Sequence, residues 1–95
     1  MNRREHLLVI LMEECAELAK VASKSLRFGL DDHGYGEANE VLLHKEFNDL
    51  VAVADMLLVD GVGIRLDSDL ARGKEAKVEH YLEYSRERGT LSDDG

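Results

Sequence analysis

Residues 7–26, LLVILMEECAELAKVASKSL, and residues 43–58, LHKEFNDLVAVADMLL, decide the fold of this chain. In both segments apolar residues recur every three or four positions, which is the period of an amphipathic α-helix. Neither segment contains glycine, and the chain contains no proline. We therefore predict two long helices, each with one apolar stripe.

The segment boundaries follow from residues that start or stop helices. Glycine is frequent just after the last helical turn, so Gly29 and Gly89 are predicted to follow helix ends. Aspartate and serine accept hydrogen bonds from free N–H groups in a first turn, so Asp67 or Ser68 is predicted to cap a third helix. The predicted helices cover about residues 3–26, 38–60 and 68–88.

The predicted fold class is all-α, with two long helices and a C-terminal helix in each protomer. We expect a single helical domain over residues 1–89 and a polar C-terminal tail over 90–95. Three amphipathic helices in a chain of 95 residues make a small core. A second copy would bury the apolar stripes better, so we expect a four-helix-type bundle completed in a homodimer or homotetramer.

Composition narrows the classes of partner and location. The net charge of −8 disfavours binding to nucleic acid. No apolar run reaches the roughly 18 residues of a membrane span, and the run over residues 7–12 is too short for a secretory signal. A cytoplasmic location is expected. The single cysteine, Cys15, provides no disulfide framework and is expected to be a small packed residue.

Two pairs of acidic residues lie within the predicted apolar stripes. With successive residues about 100° apart, Glu14 falls in the middle of the stripe of helix 1 and Glu17 at its edge. Glu46 and Asp49 are related in the same way on helix 2. A buried carboxylate is costly unless it is neutralised, paired or bound to a cation. If the helices pack antiparallel, the two pairs converge into an oxygen cage suited to Mg²⁺, with Mn²⁺ as a substitute.

Two structural alternatives remain open for these acids. Acidic residues on helices commonly form a solvated face, and a pair spaced by three is a weak pattern. The four carboxylates could also be neutralised by Lys20, Lys24 or Lys45, in which case the chain would be a structural dimerisation domain. These lysines fall largely on the polar arcs of the helices.

The acidic pattern resembles the signature of a known family. Glu13-Glu14-x-x-Glu17, a spacer of 28 residues and Glu46-x-x-Asp49 are similar to the motifs of the all-α nucleoside triphosphate pyrophosphohydrolases. The chain looks most like the short, single-domain MazG-like members of bacteria and phages. Three more stretches carry the resemblance, which spans about residues 7–89: residues 22–29, residues 48–53, and the series from Lys74 to Arg86.

The resemblance implies a fold, an activity and a set of ligands. Members of this family are all-α enzymes that hydrolyse a nucleoside triphosphate, often a deoxynucleotide or an aberrant one, to the monophosphate and pyrophosphate. The implied role is cleaning of the nucleotide pool. By position in the motifs, the implied Mg²⁺ ligands are Glu14, Glu17, Glu46 and Asp49. Longer relatives carry extra elements around the base pocket, so the choice of substrate stays open.

The remaining candidate residues would handle water and substrate. Glu13, beside the motif ligands, is the candidate to position or deprotonate the attacking water. Basic and aromatic residues near the family-like stretches are candidates to bind phosphate, and Asn48 could bond a base or sugar edge. The substrate-binding candidates are Lys74, Lys77, Tyr84, Arg86, Arg27 and Asn48. The main alternative is a helical nucleotide-binding or regulatory module without turnover.

Overall fold

The computed structural model describes residues 1–92 and shows three α-helices over that range, with no strand. The helices are α1 (Arg3–Phe28), α2 (Asn39–Val59) and α3 (Ser68–Arg88). The all-α class and the three predicted helices are confirmed. Among these residues no helix is long and apolar enough to cross a membrane.

Local hydrogen bonds define both ends of α1. The Asn2 side chain accepts a hydrogen bond from the Glu5 backbone at 2.9 Å, and the Glu5 carboxylate accepts one from the Asn2 backbone at 3.2 Å. This reciprocal capping box satisfies two N–H groups of the first turn. Gly29 follows the last turn with φ of 104°, a backbone conformation that favours glycine. The helix extends two residues beyond the predicted end at Leu26.

The two long helices pack antiparallel as a hairpin. At the closed end, Asn39 Nδ2 donates to the carbonyl of Gly29 at 2.9 Å, and the amide of Asn39 donates to Asp32 at 2.9 Å. At the open end, Arg3 Nε contacts Asp60 Oδ2 at 2.6 Å. These contacts join the end of each helix to the start of the other. Residues near the start of α1 therefore face residues near the end of α2, and residues near the end of α1 face residues near the start of α2.

The core of the hairpin is small. Leu7, Val53 and Leu57 form its buried cluster, and Leu11 and Val62 pack against it. Leu57 is the only one of these side chains with no exposed area. Val21 is buried separately, further along α1. The apolar stripes predicted for the two helices therefore contain the buried side chains, but fewer residues of each stripe are buried than the periodicity indicated.

The chain divides into two compact units, Met1–Arg65 and Leu66–Gly95. The first contains the α1–α2 hairpin and the second contains α3. Asp67 caps α3 by accepting hydrogen bonds from the amides of Asp69 and Leu70, at 3.0 and 3.1 Å. No residue of α3 is buried. The predicted tail over 90–95 lies partly outside the described residues.

Candidate metal-binding site

Three carboxylates from facing turns of α1 and α2 come together in the hairpin. One oxygen each from Glu14, Glu46 and Asp49 lies within 4.8 Å of the others. Glu14 and Glu46 are half-buried, and Asp49 is exposed. The antiparallel pairing produces this arrangement, since it brings the middle of α1 opposite the first half of α2. We refer to these three residues as the carboxylate cluster.

Glu17 and Glu13 lie at the margin of the carboxylate cluster. Both are exposed on α1. Glu17 follows Glu14 by three residues, which places the two side chains on neighbouring parts of the helix surface. Within the described chain, Glu17 is not part of the set of mutually close carboxylates. Its predicted role as a fourth ligand stays a prediction, as does the water-handling role of Glu13.

The electrostatics of the cluster centre on Glu14. Burial raises the pKa of the Glu14 carboxyl, and repulsion by neighbouring carboxylates raises it further. Both effects disfavour the charged form of the acid. A bound cation would reverse this repulsion and favour the ionised form. The neighbours that act on Glu14 are, in order of decreasing effect, Asp49, Glu46, Glu17 and Glu13.

No basic side chain neutralises the carboxylate cluster within residues 1–92. Lys45, on α2, forms its ion pair with Glu37. Lys20 and Lys24 form no ion pair in the described part of the chain. The alternative in which lysines neutralise the acids is therefore not what the hairpin shows. The negative charge of the cluster is therefore available to be balanced by solvent or by a bound cation.

The donor set of the cluster fits a hard divalent cation. Mg²⁺ takes oxygen ligands at about 2.1 Å in an octahedron, so oxygens bound to one ion lie roughly 3–4.2 Å apart. The cluster oxygens lie within 4.8 Å of one another, so small side-chain rotations, or a water between one carboxylate and the ion, suffice to meet this spacing. Mg²⁺ commonly keeps several waters, which suits a site with one exposed ligand.

The other predicted site residues lie in several places. Asn48 is exposed on α2, and its side chain donates to the carbonyl of His44 at 2.8 Å. Arg27 stacks over the ring of Phe28, with 5.0 Å between guanidinium carbon and ring centroid. The four remaining candidates are exposed on α3, in the second compact unit: Lys74, Lys77, Tyr84 and Arg86.

Two features of the hairpin were not predicted from the sequence. Cys15 is exposed, so the prediction that it packs within the protomer is wrong. It follows Glu14 by about 100° of helical rotation, which turns it away from α2. A shallow depression at the open end of the hairpin is lined by residues that include Arg3, Arg4 and Asp60. Arg4 donates there to the Asp60 carbonyl at 3.1 Å, so these groups serve the contact between helices.

Comparison of the chain with protein-family models, with curated proteins and with solved structures finds no match. The resemblance to the all-α pyrophosphohydrolases therefore stays a prediction from the acidic motifs and the helical framework of the sequence. The carboxylate cluster is the feature from which a function can be argued.

Proposed function

We propose that the chain is a Mg²⁺-dependent nucleoside triphosphate pyrophosphohydrolase of the MazG-like type. One observation carries the proposal: three carboxylates from two helices converge without a basic partner, and burial together with their repulsion raises the pKa of Glu14. The motif resemblance supplies the reaction, release of pyrophosphate from a nucleoside triphosphate. The substrate proposed is a deoxynucleoside triphosphate or a non-standard triphosphate, with pool cleaning in the cytoplasm as the role.

In this proposal Glu14, Glu46 and Asp49 hold the cation, and Glu17 completes the set from the margin. A bound Mg²⁺ would neutralise the polyphosphate, orient it and lower the pKa of a coordinated water. Holding the ligands on two packed helices fixes their separation before substrate arrives, which avoids reorganisation during the reaction.

The chain's own side chains would perform the remaining tasks. Glu13, next to Glu14 and exposed on α1, orients the attacking water and accepts its proton. Exposed positive groups on α3 and Arg27 bind phosphate oxygens together with Tyr84, and Asn48 bonds a base or sugar edge. The α3 candidates for phosphate are Lys74, Lys77 and Arg86. Self-association as a homodimer or homotetramer is also part of the proposal.

The test measures pyrophosphate release by the purified chain from each NTP and dNTP, with and without Mg²⁺. We expect release that requires Mg²⁺ or Mn²⁺, and a loss of at least about 100-fold in Glu14→Gln and Glu46→Gln, because each removes a charged ligand. Glu40→Gln is the matched control, since Glu40 is an exposed glutamate in the first turn of α2. Its rate should match that of the unmodified chain.

Thermal melting separates the metal site from the catalytic activity. A cation that binds only the folded chain must raise the melting temperature. We expect Mg²⁺ to raise it for the unmodified chain and for Glu40→Gln, but not for Glu14→Gln. Stabilisation by Mg²⁺ with nucleotide binding but no turnover would indicate the non-catalytic module instead. Neither stabilisation nor turnover, or turnover unchanged in the two cluster variants, would refute the proposal.

A further inference from the structure

A row of charged residues follows one side of α1 and changes sign along its length. The spacings between its members alternate between four and three residues, so they lie one above another on the same strip of the helix surface. The first two members are acidic and the last three are basic: Glu13, Glu17, Lys20, Lys24 and Arg27. We call the last three the basic row. Because the acidic members border the carboxylate cluster, the basic row begins one turn beyond the cluster.

The basic row lies on the side of the hairpin at which Asp49 is exposed. At about 100° per residue, Lys24 and Asp49 are rotated in the same sense from the faces that join the two helices. Because the helices are antiparallel, equal rotations place residues on the same side of the pair. The contact between Arg3 and Asp60 supports this assignment, since both residues are rotated in that sense as well. The lysines and the exposed member of the cluster therefore face the same region of solvent.

The two lysines of the basic row have no anionic partner within residues 1–92. Lys20 follows Glu17 by three residues, a spacing at which ion pairs form on helices, yet no ion pair joins them. Lys24 is half-buried and has no ion pair over the same range. Partial burial strengthens the attraction of an anion, because fewer waters screen it. Lys45, by contrast, is paired with Glu37. The positive charges of Lys20 and Lys24 are therefore available to an anion from outside the chain.

The positions along the hairpin suit a substrate that has a phosphate end and a less polar end. The helical rise places Lys20 about 4.5 Å and Lys24 about 10.5 Å beyond Glu17. A triphosphate whose α-phosphate lies at the carboxylate cluster can extend its β- and γ-phosphates toward these ammonium groups. Toward the open end of the hairpin, the same side presents the apolar Ile10 and Met56, which are 37% and 41% exposed. The nucleoside fits that end, since it carries no charge of its own.

We propose that Lys20 and Lys24 bind the β- and γ-phosphates of the substrate, with the nucleoside directed toward the open end of the hairpin. This assignment rests on the proposed pyrophosphohydrolase function and adds to it two binding residues and the direction of the substrate. In the reaction, a water oxygen bonds to the α-phosphorus and Glu13 accepts the proton. The bond from the α-phosphorus to the bridging oxygen breaks, and its electron pair leaves with pyrophosphate. The two ammonium groups stabilise the negative charge that develops on this leaving group.

The test measures binding of pyrophosphate to the full chain by isothermal titration calorimetry in the presence of Mg²⁺. We expect the unmodified chain to bind it. The double variant Lys20→Gln, Lys24→Gln should bind it at least about 10-fold more weakly, because two charge-assisted hydrogen bonds are lost. The double variant Lys20→Arg, Lys24→Arg should retain most of the affinity, since it keeps both charges and arginine also binds phosphate.

Lys45→Gln is the matched control for the loss of a lysine. Lys45 lies on the same side of the hairpin, but its charge is already paired with Glu37. Its loss should change the affinity for pyrophosphate by less than about 3-fold. Failure of the unmodified chain to bind pyrophosphate, or equal affinities of Lys45→Gln and the double glutamine variant, would overturn the assignment.

Thermal melting without ligand separates phosphate binding from a role in helix stability. Basic residues near the end of a helix also interact favourably with its dipole. If that were the only role of Lys20 and Lys24, the double glutamine variant would melt at a lower temperature and bind pyrophosphate as tightly as the unmodified chain. That combination would also contradict the assignment.

The outcome for the two lysines can be distinguished from the outcome for the hydrolase. Lysine-dependent binding of pyrophosphate without hydrolysis of any NTP or dNTP would support the lysines as a pyrophosphate site and refute the hydrolase. Hydrolysis together with pyrophosphate binding that is unchanged in the double glutamine variant would support the hydrolase and overturn the role of the lysines.

Discussion

Leu57 tests whether the α1–α2 contact is the source of the hairpin's stability. Its side chain has no exposed area and lies in the buried cluster with Leu7 and Val53. Leu57→Ala removes three carbon atoms, which costs about 2.4 kcal/mol at roughly 0.8 kcal/mol for each buried methylene. The cavity left behind adds to this loss, as in other buried leucine-to-alanine changes of about 3–5 kcal/mol.

We expect a value near the lower end of that range, about 3 kcal/mol. Leu7 and Val53 keep exposed fractions of 4% and 8%, so the cluster lies near the surface and can relax around the cavity. For a domain of this size, about 3 kcal/mol corresponds to a fall in melting temperature of roughly 12–24 °C. It is also a large share of the about 5–14 kcal/mol that a chain of 95 residues has in total.

The measurement is urea unfolding followed by far-ultraviolet circular dichroism, at one protein concentration for all samples. The concentration is held fixed because self-association would add to apparent stability. Leu66→Ala is the control, since Leu66 is the same residue type at 88% exposure. It should lose less than about 0.5 kcal/mol. A loss below about 1 kcal/mol for Leu57→Ala would refute the view that this cluster is the core of the hairpin.

Two further predictions concern the acid site and the closed end of the hairpin. In the presence of a metal chelator, the free energy of unfolding should fall as the pH rises from 4.5, the ordinary pKa of glutamate, through the raised pKa of Glu14. The reason is that the folded chain disfavours the ionised form of this acid. Glu14→Gln removes that contribution, so melting temperatures that fall equally in both proteins would contradict the reasoning. Asn39→Ala deletes a 2.9 Å hydrogen bond from a side chain that is 3% exposed. Urea unfolding should show a loss of about 1–2 kcal/mol, and an unchanged midpoint would count against it.

The helices and their ends could be predicted from the sequence because their causes are local. Gly29 and Gly89 follow α1 and α3 as expected, and Asp67 rather than Ser68 supplies the cap of α3. The choice between Asp67 and Ser68 depends on which backbone amides each side chain reaches, and spacing does not specify that.

The candidate site could be predicted in part. Helical angles placed Glu14 and Glu46 deepest, and both are half-buried in the hairpin. The same angles grouped Glu17 with the ligands, whereas the close set contains Glu14, Glu46 and Asp49. Distances between side chains on two helices depend on how the helices pack and on side-chain rotamers. The pattern on one helix therefore could not show which of the four carboxylates lie closest together.

The sequence by itself determined that this chain forms three helices and that carboxylates interrupt two apolar stripes. Periodicity, glycine positions and caps act over a few residues, so they can be inferred before any fold is known. Only the tertiary structure decided that α1 and α2 pair antiparallel, which brings Glu14 against Glu46 and Asp49 and leaves Cys15 exposed. The physical reason is that burial and repulsion depend on residues far apart in the chain. Lys45 pairs with Glu37, which leaves the carboxylate cluster without a basic partner in the described chain.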